Sequence, residues 1–427
     1  MDDDRKRSPL QSSRRRFLVA AGGAVAGGGL IARTAPAAAS VEPDPAPAQN
    51  KVEPFFGLHQ GGIATKPTQI QTYFAAFDLQ TEKVSDIVAL LRQWTQLAAR
   101  LTSGGAAAGQ PASVLAYDSG ETLDLPPARL TITFGFGPTL FEKDGKDRYG
   151  LKSKRPAALV DLPRFVGEQL IEGHTGGDLS IQACSDDQQV AFHAVRQLAR
   201  AAYGLATIRW TQAGFFANSD GKTPRNLMGF KDGTINPPTG SPQAMDSFVW
   251  VGEEGPLWMR GGSYVVARRI RIALEHWDRM DLGFQEATIG RSKYSGAPLG
   301  GKNESDPLDL DAVDKDGNSV IPFSAHVRLA APASNDGAQI LRRGYSYNNG
   351  VNFTAERWPP WRQGIEYDAG VFFICYQRDP NSGFIKIFDR LSKLDAMNQF
   401  VTHVGSGIFA CPPGAEPGGY LGEMLFG

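Results

Sequence analysis

The chain has 427 residues, 41% of them hydrophobic and 21% charged, with 44 basic side chains against 45 acidic ones. This composition excludes global disorder, and the length suits two or three domains or one large duplicated unit. The balanced charge leaves no footprint for nucleic acid.

The N-terminal stretch "SRRRFLVAAGGAVAGGGLIARTAPAAA" joins an arginine cluster to a weakly apolar run. Ser13, Arg14, Arg15, Phe17 and Leu18 fit the twin-arginine pattern, and Ala37, Ala38 and Ala39 offer a small-residue cleavage site. Residues 1–39 are therefore expected to be a signal peptide, and the protein to be secreted, periplasmic or held at the cell envelope. A membrane anchor is the plain alternative, but the run is glycine-rich and shorter than the about 20 residues of a spanning helix. The twin-arginine route carries folded proteins, so a cofactor inserted before export is expected. Without the signal the chain is mildly acidic, which speaks against polybasic membrane docking.

Residues 40–53 are rich in Pro and Ala and read as a flexible leader, with the folded body starting near Pro54. From there "TYFAAFDL" reads as a strand, "KVSDIVALLRQWTQLAARL" as an amphipathic helix, and "ARLTITFGFG" and "DLSIQACS" as strands. A helix over "DDQQVAFHAVRQLARAAYG", closed by Gly204, and the strand "ATIRWTQAGFF" follow. Strand, helix, strand, strand, helix, strand is the order of a ferredoxin-like module.

The second half repeats the order loosely. "GGSYVVARRIRI" reads as a strand, "ALEHWDRM" as the start of a helix, "AHVRLAAP" as an extended segment, "GVFFICYQ" as a strand and "GFIKIFDRLS" as a helix. The expected modules are 54–225 and 226–427, with long loops at 285–322 and 333–365. Loops of that length in a compact protein are usually functional. The three cysteines, Cys184, Cys375 and Cys411, have no metal-ligand spacing and indicate neither a zinc site nor a disulfide framework.

Three stretches carry candidate chemistry. "GFKDGT" places Asp232 before Gly233, where the backbone can turn sharply and a flat group can approach. "FSAHVRLAAP" places His326 at an apparent strand end, and "ILRRGYSYNNG" places Arg342 and Arg343 before a turn. Singly, each has a plain reading: Asp-Gly is a common turn, a lone histidine is commonly a hydrogen-bonded residue, and an arginine pair commonly sits on a solvated face.

Together they resemble the dye-decolourising peroxidases, a haem protein family, in its exported branch that includes the deferrochelatases. The resemblance runs from about Pro54 to the C-terminus. It rests on Gly229, Asp232 and Gly233 of the Gly-x-x-Asp-Gly hallmark and on "GLHQGGI", "GGSYVVARRIRI", "HVRLAAP", "RRGYSY" and "HVGSGIFACPPG".

The resemblance implies an α+β fold, two ferredoxin-like modules forming a dimeric α+β barrel-like unit, with haem b (heme b) held mainly by the second. It implies His326 as the axial ligand and Asp395 as the acceptor that fixes its tautomer, although Asp395 also reads as a helix cap. Asp232 would move the proton of hydrogen peroxide, and Arg342 would stabilise the leaving hydroxide and reach a haem propionate. A carboxylate base stays ionised in mild acid, so the resemblance implies an acid-tolerant enzyme.

Gly233, Thr234 and Ile235 are expected against the porphyrin. Ala331, Pro332 and Ala333 are expected at the haem edge, with Arg260 and Arg268 as lesser candidates for the propionates. Tyr345, Tyr347, Trp358 and Trp361 are candidates for passing electrons to bulky donors, although aromatic residues at such places are more often simple core. The expected activity is peroxide reduction coupled to oxidation of phenolic or dye-like small aromatic donors. The alternative is a haem-handling deferrochelatase that releases iron for uptake. A partner in iron uptake or another extracytoplasmic partner, and the oligomeric state, are left open by the sequence.

Overall fold

The structure, a computed structural model, describes residues 50–106, 118–217, 222–355 and 363–427. The signal segment, most of the leader, and Trp358 and Trp361 lie outside the described residues. The fold takes hold earlier than Pro54. Glu53 is buried and pairs with Arg129 Nε at 2.8 Å, while the Arg129 amide donates to the Lys51 carbonyl at 3.1 Å. A buried cation far along the chain, invisible to local composition, recruits the end of the leader.

The first module contains β1 (Gln71–Leu79), α1 (Val84–Thr102), β2 (Thr131–Phe136), β3 (Leu179–Ser185), α2 (Gln188–Ala201) and β4 (Ala206–Phe215). Its strands lie in the order β2-β3-β1-β4, all neighbours antiparallel. Helix α1 presents Ile87, Leu90, Leu91, Trp94, Leu97, Ala98 and Leu101 to the sheet, the spacing of an amphipathic helix face. Helix α2 is started by Asp187, whose side chain accepts from the amides of Gln189 and Val190.

The second module contains β5 (Ser263–Ile272), α3 (Leu282–Ile289), α4 (His326–Ala330), β6 (Leu341–Arg342), β7 (Tyr345–Ala355), β8 (Gln363–Gln377), α5 (Lys386–Leu394) and β9 (Val401–Cys411). Its main strands run β9-β5-β8-β7, the same permutation as the first module. The pairs Phe136↔Ala410, between β2 and β9, and Phe215↔Ser346, between β4 and β7, close the eight strands into one antiparallel barrel. Alternation along each strand sorts the core. Val265, Ala267, Phe372, Ile374 and Tyr376 point into the barrel, whereas Val266 and Cys375 point to the outer layer.

Four local expectations change. "AHVRLAAP" is not extended: its central residues form α4, so His326 opens a helix rather than ending a strand. Pro332 sets the end of that helix, because the residue before a proline favours extended backbone, and Asn335 Nδ2 caps it by donating to the carbonyls of Leu329 and Ala331 at 2.7 and 2.9 Å. The stretch 333–365 is not one loop, since β6 and β7 lie within it. Its Gly- and Asn-rich sequence obscured a strand whose Tyr345 and Tyr347 are buried and which bulges between Asn348 and Val351. "ALEHWDRM" yields only the single turn Leu274–Trp277 before α3, and β9 was not anticipated as a strand.

Candidate functional site

A cavity lies on the outer face of the second module's sheet. Its volume is ≈ 240 Å³. Apolar walls come from Ile270 and Ile272 of β5, Val371 and Phe373 of β8, and Phe388 and Leu391 of α5. His326, Asp395, Asp232 and Arg342 all open into this one space.

His326 is the first residue of α4, and its Nδ1 lies 2.6 Å from Asp395 Oδ2. Asp395 stands where α5 ends and a 3-10 turn begins, and its other oxygen accepts from the Met397 amide at 2.8 Å. The cap reading and the acceptor reading of Asp395 therefore hold together. Burial presses the imidazole towards neutrality. The charge and hydrogen bond of Asp395 outweigh it, Arg342 lowers and Asp232 raises, and the net result is a pKa above the ordinary histidine value. With its proton on Nδ1, facing the carboxylate, the ring leaves the Nε2 lone pair for a metal.

His403 lines the same cavity but has the opposite polarity. Arg268 Nε donates to His403 Nδ1 at 3.2 Å, so the ring proton sits on Nε2 and no outward lone pair remains. Burial and Arg268 push the His403 pKa well below its usual range. Of the two cavity histidines, only His326 is prepared as a ligand.

Asp232 occupies the turn of "GFKDGT", its amide bonded to the Pro224 carbonyl at 2.9 Å. Gly233 follows at φ +108°, a backbone region that favours glycine. Arg342 Nη1 lies 3.3 Å from Asp232 Oδ1, and Arg342 Nη2 donates to the Ile235 carbonyl at 2.9 Å. Thr234 donates to Glu304 Oε1 at 3.0 Å and Lys231 pairs with the same carboxylate, so the long loop that follows α3 at Ile289 buttresses the turn.

Of the expected contacts, Thr234, Ile235, Ala331 and Pro332 line the cavity. Gly233 and Ala333 do not; Gly233 faces a neighbouring pocket shared with Glu304. Arg343 turns away from Arg342 and is buried, donating to the Thr65 carbonyl at 2.9 Å and to Gln69 Oε1 at 2.7 Å. Arg260 and Arg268 are not in the lining, and Arg268 is engaged by Glu168, Ser406 and His403. Tyr345 and Tyr347 are buried and also absent from the lining.

The sequence reading missed Asn236. Its Oδ1 accepts from the Arg342 amide at 2.9 Å and its Nδ2 donates to the Arg342 carbonyl at 3.0 Å, a two-point clamp between the Asp232 turn and β6. An asparagine just before Pro237 signals a turn, but nothing local reveals a partner 106 residues away.

Residues 60–216 match the model of the Dyp-type peroxidase N-terminal domain and residues 223–416 that of the C-terminal domain. The chain is 38% identical to the deferrochelatase of Shigella boydii over 92% of its length and 91% of that protein. Among solved structures it is similar to DtpA from Streptomyces lividans, solved as an oxyferrous/water mixed complex. That match has 39% identity and a TM-score of 0.80, over 89% of this chain and 99% of that one. A DyP-type peroxidase from Cellulomonas bogoriensis matches at 37% identity and a TM-score of 0.77, over 89% and 99%.

The fold and site thus define a peroxidase of the oxidoreductase class. The chain belongs to the Dyp-type peroxidase family, whose cofactor is haem. The residues present fit that group: an apolar slot for a macrocycle, one imidazole with a free Nε2, and the Arg342 guanidinium facing the same space, where Lys231 and Arg291 also line the wall.

Proposed function

We propose that this protein is a haem b peroxidase in which His326 is the axial ligand, Asp395 its orienting carboxylate, and Asp232 with Arg342 the pair that handles peroxide. The observation that carries the reading is the presence of both pairs, each internally bonded, in one largely apolar cavity. Haem, when bound, supplies the redox chemistry that takes oxidising equivalents from hydrogen peroxide and delivers them to organic donors.

The protein's own groups do the rest. Asp395 keeps the His326 proton on Nδ1 and makes the imidazole a stronger donor. Asp232 accepts a proton from hydrogen peroxide and returns it to the departing oxygen. Arg342 places a fixed cation where the leaving hydroxide gathers charge, electrostatic help typically worth about 3 kcal/mol per group. Thr234, Ile235, Ala331 and Pro332 would flank the macrocycle, and Arg342 is a cavity cation that would suit a propionate.

The deferrochelatase relative motivates a second reading, release of iron from haem. The two readings share the binding residues and differ in product. Incubation with haem, peroxide and a phenolic donor should yield oxidised donor while haem stays intact. Free iron with metal-free porphyrin and unoxidised donor would replace the first reading by the second. The arginine cluster before residue 17 supports export by the twin-arginine route. Fusing residues 1–39 to a reporter should give export that is lost in a strain lacking that route.

A further inference from the structure

Away from the cavity, the outer layer of the first module holds a polar cluster in which two buried atoms lack a hydrogen-bond partner. His193 lies on the buried face of α2 with 3% of its side chain accessible. Its Nδ1 is 3.1 Å from Glu121 Oε1 and its Nε2 is 3.4 Å from Asp118 Oδ2. Among the described residues, the buried atoms His193 Nε2 and Glu121 Oε2 have no hydrogen-bond partner. Buried polar groups in native proteins are rarely left so.

A neutral imidazole carries one proton, and neither position for it works. On Nδ1 the proton serves Glu121, and the bare Nε2 faces the Asp118 carboxylate. On Nε2 it meets Asp118 out of alignment, and the bare Nδ1 faces Glu121. The Gln197 amide, oriented by Arg200 at 3.2 Å from its Oε1, offers Nδ1 only a long contact of 3.4 Å. Arg196 touches Glu121 Oε1 at 3.1 Å, but 48% of its side chain is in solvent and Oε2 is left without a hydrogen bond. Each tautomer sets a ring lone pair against a carboxylate, so one more cation belongs between them.

We propose that Asp118, Glu121 and His193 form a binding site for a divalent transition ion of the zinc type, separate from the haem cavity. One ligand atom from each residue lies within 4.8 Å of the others. Zinc holds nitrogen and oxygen ligands at about 2.0–2.2 Å, so a contraction of about 1 Å brings the three atoms into a tetrahedral arrangement with a fourth position for water. An imidazole with two carboxylates and no thiolate suits zinc or another first-row ion, whereas calcium prefers oxygen alone. None of the three residues lines the haem cavity, so filling the site leaves the Soret band unchanged.

The test is equilibrium dialysis of the full, haem-loaded protein against buffered zinc, with zinc and iron counted separately and the zinc environment read by X-ray absorption. The expected result is one zinc per chain beyond the haem iron, held by nitrogen and oxygen at about 2.0–2.2 Å with no sulfur. His193→Gln and Asp118→Asn should each weaken it about ten-fold or more at unchanged Soret absorbance. Equal zinc in the wild type and both variants overturns the site. So does no zinc in the wild type, and ¹⁵N signals showing both His193 ring nitrogens protonated at neutral pH would then identify the missing cation as a proton. If His193→Gln loses the Soret band, Asp118→Asn decides alone.

Discussion

Replacing Asp395 by Asn probes the proposed axial site where it has least freedom. Asp395 is 7% exposed and uses both oxygens: Oδ2 towards His326 Nδ1 at 2.6 Å and Oδ1 from the Met397 amide at 2.8 Å. An amide keeps only one acceptor. If the carbonyl stays on Met397, the NH₂ faces His326 Nδ1 and drives the ring proton to Nε2, where the metal's lone pair should be. If the carbonyl turns to His326, the NH₂ meets the Met397 N–H, donor against donor. Either choice leaves a buried polar group unmatched, costing about 1–3 kcal/mol, in addition to the lost negative charge. Removing such an outer partner typically weakens a metal site about 10–100-fold. Haem titration followed at the Soret band should show that loss, and spectroelectrochemistry of the loaded variant should show a more positive iron midpoint potential. Asp389→Asn on α5, an exposed carboxylate paired with Lys393, is the control and should change neither. Wild-type haem affinity and potential in Asp395→Asn would refute the reasoning.

The raised pKa of His326 sets a pH dependence. In the haem-free protein, the stabilisation from protonated His326 is complete below the ordinary imidazole value of about 6.5 and is lost as pH rises through the higher folded-state value. Haem needs the neutral ring, so haem affinity should climb across that same window, and a flat titration series would contradict this. Arg342→Leu should retain haem but slow peroxide cleavage about 100-fold or more in stopped-flow mixing, and wild-type speed would remove Arg342 from the reaction. Asp232→Asn should keep haem and lose both rate, by about 10²–10⁴-fold, and the acid limb of the pH–rate profile; an unchanged limb would leave Asp232 as a pocket-shaping residue only. Asn236→Ala should lower the peroxide rate without changing its pH profile, because it loosens the Arg342 backbone and leaves both reacting groups in place, and a shifted profile would argue against a positioning role.

The periodic elements were legible because their signals are local. Helix α1 shows an apolar stripe, α2 a capping Asp187, β1 a largely apolar run and β3 an apolar/polar alternation, and each forms close to where it was expected. Helix α4 was not legible: five residues between two prolines are too few for a period, and its end is set by Asn335 and by packing. Strand β7 was hidden because its polar Ser and Asn residues read as turn formers, while its burial comes from strands far away in sequence. The candidate site was visible only through motif resemblance. That resemblance named His326, Asp232 and Arg342, but the Asn236 clamp and the opposite tautomer of His403 depend on partners 106 and 135 residues away.

The two modules share a strand permutation, yet the cavity sits on only one of them, and the connections explain why. In the first module the crossover from β1 to β2 is the long helix α1, whose Leu90, Leu91 and Trp94 cover the outer face of the sheet. In the second module the corresponding crossover, from β5 to β7, is mostly irregular, with the short helices α3 and α4, two single turns and the two-residue β6. It cannot cover the equivalent face, where Ile270, Ile272, Val371 and Phe373 line the cavity instead. Apolar surface left in this way costs about 25 cal/mol per Å² until something covers it. A flat apolar cofactor placed there takes over the covering role that α1 has in the first module, and the same irregular crossover supplies its ligand, His326. On this argument haem is part of the second module's core, and binding only the folded state it must raise the unfolding temperature of the whole barrel. The first module already has its covering helix, so local hydrogen exchange on removal of haem should quicken in α4, α5 and β8 while α1 and β3 stay protected. Equal loosening of both modules would mean that the cofactor stabilises the barrel through the shared strands rather than by standing in for a helix.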